Sequence, residues 1–367
     1  MVKNQLKNVP KLRFPAFSGS WEVLPLIKLA QVKTGSKDTQ NRIPNGKYPF
    51  YVRSDTVERI DSYAYDGEAV LTSGDGVGVG KNIHYVNGKF DYHQRVYAIY
   101  KFKDRLLGLY FYQFFKENFL RRVMRLSAKN SVDSVRMSMI TDMDIPIPKI
   151  DEQKEIALFL SSVDIKIEQL QHKKLLLEQY KKGLIQKIFS QEVRFKDGRG
   201  HEFPEWEEKA MGEVFTIGSG RDYKHLEDGE VPVYGTGGYM CSVNEYLYDG
   251  ESVCIGRKGT IDRPVLLDGK FWTVDTLFFT HSFKNCIPKF IYVIFQTINW
   301  KKYNEASGVP SLSKATIEKI KIKLPSQSEQ KLIADLFSIV DQKIELISTQ
   351  LDHSMNFKKG LLQAMFV

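Results

Sequence analysis

The stretch PKIDEQKEIALFLSSVDIKIEQLQHKKLLLEQYKKGLIQKIF, residues 148–189, returns as PSQSEQKLIADLFSIVDQKIELISTQLDHSMNFKKGLLQAMF at residues 325–366, a constant offset of 325 − 148 = 177. The two copies align without a gap. Glu152-Gln153-Lys154 recurs as Glu329-Gln330-Lys331, Val163-Asp164 as Val340-Asp341, and Lys181-Lys182-Gly183-Leu184 as Lys358-Lys359-Gly360-Leu361. Self-similarity at a fixed offset is the mark of a repeated architecture, so the fold is read outward from this pair.

Each copy carries a heptad seam. Ile156, Val163, Leu170, Leu177 and Leu184 follow at intervals of seven, with Leu160, Ile167 and Ile188 four residues after members of that series. The second copy has Ile333, Val340, Ile347, Ser354 and Leu361, with Phe337, Ile344, Leu351 and Met365 filling the stripe. The spacing predicts two long helices, the first over residues 153–189 and about 55 Å long. Pro148 and Pro325 stand just ahead, where the chain must still be extended. Lys174, Lys181 and Lys358 interrupt the seam: they either favour one register and partner or carry their ammonium groups out to solvent. Two similar helices in one chain bury both seams most simply by packing on each other, an intramolecular pseudo-two-fold coiled coil.

Upstream of each helix lies a looser repeat. Trp21-Glu22 matches Trp206-Glu207, and Asp66-Gly67-Glu68 matches Asp249-Gly250-Glu251. The order is globular unit, helix, globular unit, helix, with boundaries at 1–150, 151–192, 193–325 and 326–367. Tyr48-Pro49-Phe50-Tyr51-Val52, Ala69-Val70-Leu71-Thr72 and Val96-Tyr97-Ala98-Ile99-Tyr100 read as strands. In the second unit Val231-Pro232-Val233-Tyr234, Ser252-Val253-Cys254-Ile255 and Leu277-Phe278-Phe279 do the same. The expected fold class is α+β, two small strand-rich mixed units joined by long helices.

Composition bounds the function. Across 367 residues, 53 Lys and Arg against 44 Asp and Glu give a formal charge of +9, which suits a polyanionic partner. Cys241, Cys254 and Cys286 are too scattered for a metal pair and read as reduced thiols of a cytoplasmic protein. The opening Met1-Val2-Lys3-Asn4-Gln5 leads into no apolar run, and no stretch has the length of a membrane span.

The glycine-rich loop at residues 74–82 invites a phosphate-loop reading and fails it. The required first glycine falls on Asp75, and Asn82 follows Lys81 where Ser or Thr should hold magnesium. What it offers is close backbone approach with cations nearby; the second unit answers with Gly256-Arg257-Lys258-Gly259-Thr260. An Arg fork matches the two acceptors of guanine, while Lys and backbone amides hold phosphates. The candidate DNA contacts are therefore Arg53, Ser73, Asp75, Lys81, His84 and Arg95 in the first unit, and Tyr234, Thr236, Arg257, Lys258, Thr260 and Arg263 in the second. Ordinary surface turns with solvated charges are the competing reading. No methyltransferase Asn-Pro-Pro-Tyr or Asp-Pro-Pro-Tyr stretch, GxSxG elbow or HExxH is found, so the chain is expected to read rather than react.

With this order and these motifs, the chain resembles the specificity subunit of type I restriction-modification enzymes. The resemblance rests on Arg13-Phe14-Pro15 with Trp21-Glu22 and their echo Glu202-Phe203-Pro204 with Trp206, and on Tyr234-Gly235-Thr236-Gly237-Gly238, Tyr248-Asp249-Gly250-Glu251 and Gly269-Lys270-Phe271-Trp272. Leu324-Pro325 followed by Glu329-Gln330-Lys331 is its most diagnostic run. It implies two target-recognition domains, each reading one half of a split duplex DNA site, and an antiparallel coiled coil whose length sets the unread spacer. It implies two methylation subunits bringing S-adenosylmethionine, and restriction subunits bringing ATP and magnesium, with no cofactor, metal or catalysis on this chain. Ser73-Gly74-Asp75-Gly76 stands where the second unit has Gly256-Arg257-Lys258-Gly259, so the two half-sites are expected to differ. A coiled-coil scaffold and a self-contained endonuclease or methyltransferase are the alternatives.

Overall fold

The computed structural model describes residues 8–127 and 134–366. The opening residues Met1 to Gln5, read above for a targeting segment, lie outside them. The chain forms two compact units, Met1–His172 with Thr349–Val367, and Lys173–Ser348. Each long helix, Ile150–Phe189 and Gln327–Met365, therefore serves both.

In the first unit, the aromatic and β-branched runs form a six-stranded sheet. Its order is Gln31–Thr34, Val96–Tyr100, Tyr65–Ser73, Ile83–Tyr92, Tyr48–Tyr51, Glu58–Ile60. All neighbours are antiparallel except Tyr48–Tyr51 beside Ile83–Tyr92. The helix Gly108–Leu126 buries Tyr110, Phe111, Phe114, Phe115, Phe119 and Val123, a stripe at three- and four-residue spacing that joins a core with Val70 and Ile99. Each fully buried aromatic of this kind contributes about 1.5–3 kcal/mol. A short ribbon pairs Glu22–Pro25 with Asp144–Ile147.

The second unit repeats the plan in two four-stranded sheets. One runs Thr216–Ser219, Leu277–His281, Ser252–Gly256, Val265–Leu267; the other runs Gly238–Val243, Asp228–Gly235, Lys270–Thr273, Tyr248–Asp249. Its one parallel pairing, Asp228–Gly235 with Lys270–Thr273, answers the parallel pair of the first unit. The helix Pro288–Thr297, with proline in its first turn, buries Phe290, Ile291, Val293, Ile294 and Phe295. Glu207–Ala210 pairs with Lys321–Leu324 as the second ribbon.

The long helices pack antiparallel in each unit. In the first, Ile156 and Leu160 share a core with Leu361, Leu362, Met365 and Phe366, and Lys358 further back along its helix pairs with Asp164 further forward on the other. In the second, Ile188 shares a core with Ile333, Ala334 and Phe337, and Lys181 pairs with Asp341 at 2.6 Å. Of the seam, Ile156, Leu170, Ile333, Val340, Ile347 and Leu361 are buried, and Val163, Ile167, Leu177, Leu184 and Ile344 half-buried. The lysines at 181 and 358 thus interrupt the seam as ion-pair partners, while Lys174 is half-buried. Among the described residues, no helix is long and apolar enough to cross a membrane.

The repeated Glu-Gln-Lys explains itself as a joint. Gln153, wholly buried, accepts the Leu107 backbone N–H at 2.9 Å and donates to the carbonyls of Arg105 and Pro148 at 2.8 and 2.9 Å. Gln330 accepts Ile287 N–H at 2.9 Å and donates to Asn285 and Pro325 at 3.0 and 2.8 Å. Each glutamine therefore ties the start of a long helix to the segment entering its unit's own short helix. The preceding glutamates receive the indole N–H of Trp21 and of Trp206.

Candidate nucleic-acid interface

The loop at residues 74–82 joins the strands Tyr65–Ser73 and Ile83–Tyr92. Its turn is fixed by backbone: Gly74 donates to Arg95 O and accepts from Val135 N–H, both at 2.7 Å, and Asp75 bridges Ser134. Gly76 follows with φ 77°, a conformation that favours glycine. A Cβ at Gly78 would come within 2.8 Å of the Arg53 backbone carbonyl, so the loop closes this tightly only with glycine there.

Three sequence-predicted residues meet on this turn. Asp75 Oδ1 receives Arg53 Nη1 at 3.2 Å, and Oδ2 lies 3.7 Å from Arg95 Nε. Arg53 and Arg95 stay exposed while Asp75 is largely covered. Beneath them Asn82 Nδ2 and Ser73 Oγ both donate to Arg53 O, at 2.8 and 3.2 Å. Ser73 is only 2% exposed, so its hydroxyl braces the loop and is not a group at its surface. Lys81 is exposed. His84 is half-buried, 5.2 Å ring to ring from Tyr51, and burial lowers its pKa so that the ring is neutral at pH 7.

The second unit builds an equivalent turn. Arg257 N–H donates to Thr276 O at 2.7 Å, Leu312 N–H to Arg257 O at 2.9 Å, and Lys258 bridges Ser311. Gly259, with φ 87°, donates to Pro310 O at 2.9 Å. Thr236 and Thr260 lie against Gly256, where any Cβ would strike the Thr260 carbonyl at 2.1 Å. Arg257 and Lys258 are exposed, the guanidinium 6.0 Å from the centre of the Phe278 ring. Tyr234 accepts Val274 N–H at 3.0 Å and places its ring edge-on to Tyr239. Arg263 is exposed next to Asp262, whose carboxylate is taken by Lys301 at 3.0 Å.

These bonds set the equivalences. Gly74 answers to Arg257, Asp75 to Lys258 and Gly76 to Gly259; the parallel-strand registers align Arg53 with Thr236, and the turn acceptors align Arg95 with Thr276. One backbone frame carries an acid between two arginines in the first unit and adjacent cations between two threonines in the second.

Four residues that complete the turns escape the motif reading: Ser134, Val135, Ser311 and Leu312. A signal existed, because Ser134 and Ser311 share the 177-residue offset of the helices, and the register simply had to be followed upstream of Pro148. His93 was also missed. Buried, it accepts Arg95 N–H on Nδ1 at 2.9 Å, and its Nε2 lies 3.7 Å from Asp38.

The sequence model of the family described as type I restriction modification DNA specificity domain matches residues 19–179 and 204–353, one match per copy of the repeat. The chain is 27% identical over 212 residues to the type I restriction enzyme EcoDI specificity subunit of Escherichia coli, covering 58% of this chain and 45% of that protein. It is 25% identical over 283 residues to the putative type I restriction enzyme MjaX specificity subunit of Methanocaldococcus jannaschii, covering 70% and 66%. The matched regions thus span from about half to two thirds of these relatives' length. In fold it is similar to the crystal structure of the type I restriction-modification system S subunit from M. genitalium, with TM-score 0.76 and 20% identity over 98% of this chain and 99% of that one. Matched over both copies and most of its length, this chain belongs to the type I restriction modification DNA specificity domain family.

Proposed function

We propose that this protein is the specificity subunit of a type I restriction-modification system: it reads duplex DNA at a split, asymmetric site, one half per unit, and performs no chemistry itself. The observation that carries the reading is the repeated turn, held by the same backbone bonds in both units yet bearing Asp75 in one and Lys258 in the other. A common frame with divergent exposed side chains suits two half-sites of different sequence, since base contacts specify while backbone contacts position. The excess of 53 Lys and Arg over 44 Asp and Glu supports a nucleic-acid partner.

The partners in this reading are two methylation subunits, which supply S-adenosylmethionine and the reacting residues, and restriction subunits, which supply ATP and magnesium, in the cytoplasm. The paired long helices, through their exposed faces, are the surfaces on which such subunits would assemble.

The test is methylation sequencing of DNA from cells carrying this chain with its methylation subunit, against a deletion of this chain. A two-part methylated motif with a fixed gap should vanish on deletion. An unchanged pattern, together with no sequence selected from random duplex pools, would instead leave a coiled-coil scaffold.

A further inference from the structure

We propose that Asp75 is a positioning residue for base recognition in the first unit: it holds the Arg53 and Arg95 guanidinium groups as a paired reader of guanine and keeps them from settling on phosphates. This rests on the DNA-reading function proposed above. Both carboxylate oxygens are engaged, Oδ1 by Arg53 at 3.2 Å and Oδ2 by Arg95 at 3.7 Å. The backbone that carries the carboxylate is fixed, because Gly74 before it is bonded through both N–H and C=O, Asp75 bridges Ser134, and the positive φ of Gly76 closes the turn.

An exposed arginine on its own samples many rotamers and is drawn to any phosphate. Here Arg53 gives one N–H to Asp75, and Arg95 stands beside the carboxylate as an ion-pair partner at 3.7 Å. A guanidinium has five, so donors remain on both for the O6 and N7 acceptors of guanine. The fixed negative charge repels a phosphate that approaches the same cations, which penalises non-cognate binding as much as it favours the cognate edge. The second unit is the internal comparison. Where the acid is replaced by Lys258, the flanking arginines are replaced by Thr236 and Thr276, so acid and arginines come and go together.

The test uses the full chain, selection from a randomised duplex pool, and binding across a salt series. D75N, which keeps shape and removes charge, is expected to lose roughly 5- to 150-fold of the guanine preference in one half-site and leave the other unchanged. Non-cognate affinity should rise, with a steeper salt dependence. Because Asp75 acts through the arginines, adding D75N to R53Q should cost less preference than it costs the wild type. Retained guanine preference in D75N, or independent multiplication of the two effects, overturns the proposal. Should D75N lower the melting temperature, R95Q leaves the turn intact and must weaken the same preference; if it does not, the proposal falls. A wild-type chain that selects no sequence at all would instead defeat the DNA-reading function itself.

Discussion

Lys181 and Asp341 form an ion pair in the second unit, and the residues related to them by the 177-position offset, Lys358 and Asp164, form the same pair in the first. Each partner meets the other copy's counterpart, which is the self-complementary logic of a two-fold interface carried out within one chain. A glutamine steadies each pair: Gln113 donates to Asp164 at 2.9 Å, and Gln296 accepts from Lys181 at 2.6 Å.

Lys358→Met should therefore destabilise the first unit by about 1–3 kcal/mol, since it leaves the Asp164 carboxylate without its cation. Burial lowers the Lys358 pKa while Asp164 raises it, so the pair is a balance and not a free gain. Denaturant unfolding of D164N, K358M and the double variant measures the coupling. Simple additivity would show the pair to be inert.

Gln153→Leu and Gln330→Leu keep much of the volume and remove three hydrogen bonds each. Each is expected to cost about 1–3 kcal/mol for the stranded backbone groups. Hydrogen exchange should locate the loosening at Leu107 in the first case and Ile287 in the second.

Glu152 and Glu329 are equivalent in sequence but not in surroundings. Arg13 forks Glu152 at 2.7 and 2.8 Å, whereas Glu329 Oε1 has no hydrogen-bond partner among the described residues, and burial raises the Glu329 pKa. With the folded value above the unfolded one, the folded state binds the proton more tightly, and stability falls as pH rises through the carboxylate range. E329Q should then be neutral or stabilising at pH 7, by up to about 1 kcal/mol, while E152Q destabilises. Thermal melts of the two variants at pH 4 and pH 7 decide it.

His93 supplies a pH dependence. Burial lowers its pKa, followed by the Arg53 charge, with Asp38 and Asp75 raising it and Arg95 lowering it. Because the folded value lies below the unfolded one of about 6.5, the unfolded chain takes up the proton first as pH falls. The stabilisation is complete above that pH and is lost below it, by at most about 1.4 kcal/mol per pH unit. Nδ1 must also stay unprotonated to accept Arg95 N–H, so the DNA recognition proposed for the first unit should weaken over the same range. His93→Gln is expected to flatten both profiles.

Arg257→Ala should cost about 1–3 kcal/mol at one half-site if the guanidinium meets a base, and weaken all sequences alike if it meets phosphate. Competition binding against variant duplexes separates these outcomes, and no change in either would remove Arg257 from the interface.

Much of this was legible in the chain itself. Heptad spacing marked both long helices to within a few residues of Ile150–Phe189 and Gln327–Met365, because a seam leaves a period that nothing else produces. The strands around Val70, Val96, Val253 and Leu277 showed as short apolar runs because they are buried on both faces along most of their length. Less visible was what depends on side-chain direction. Ser73 faces inward because the strand Tyr65–Ser73 is buried on both faces at its end, so period-two alternation fails there. The Asp75 contacts join residues 22 and 20 positions apart, a relation no local pattern encodes.

The division of the long helices also dictates an order of events during synthesis. Lys173–Ser348 is continuous in the chain and can complete its core as soon as it leaves the ribosome. The first unit cannot, for its core needs Leu361, Leu362, Met365 and Phe366, which emerge only after the whole of Lys173–Ser348. The first unit must wait, partly assembled, for residues 361–366 to close it, so a nascent chain cut short before them would carry one finished unit and one that never matures.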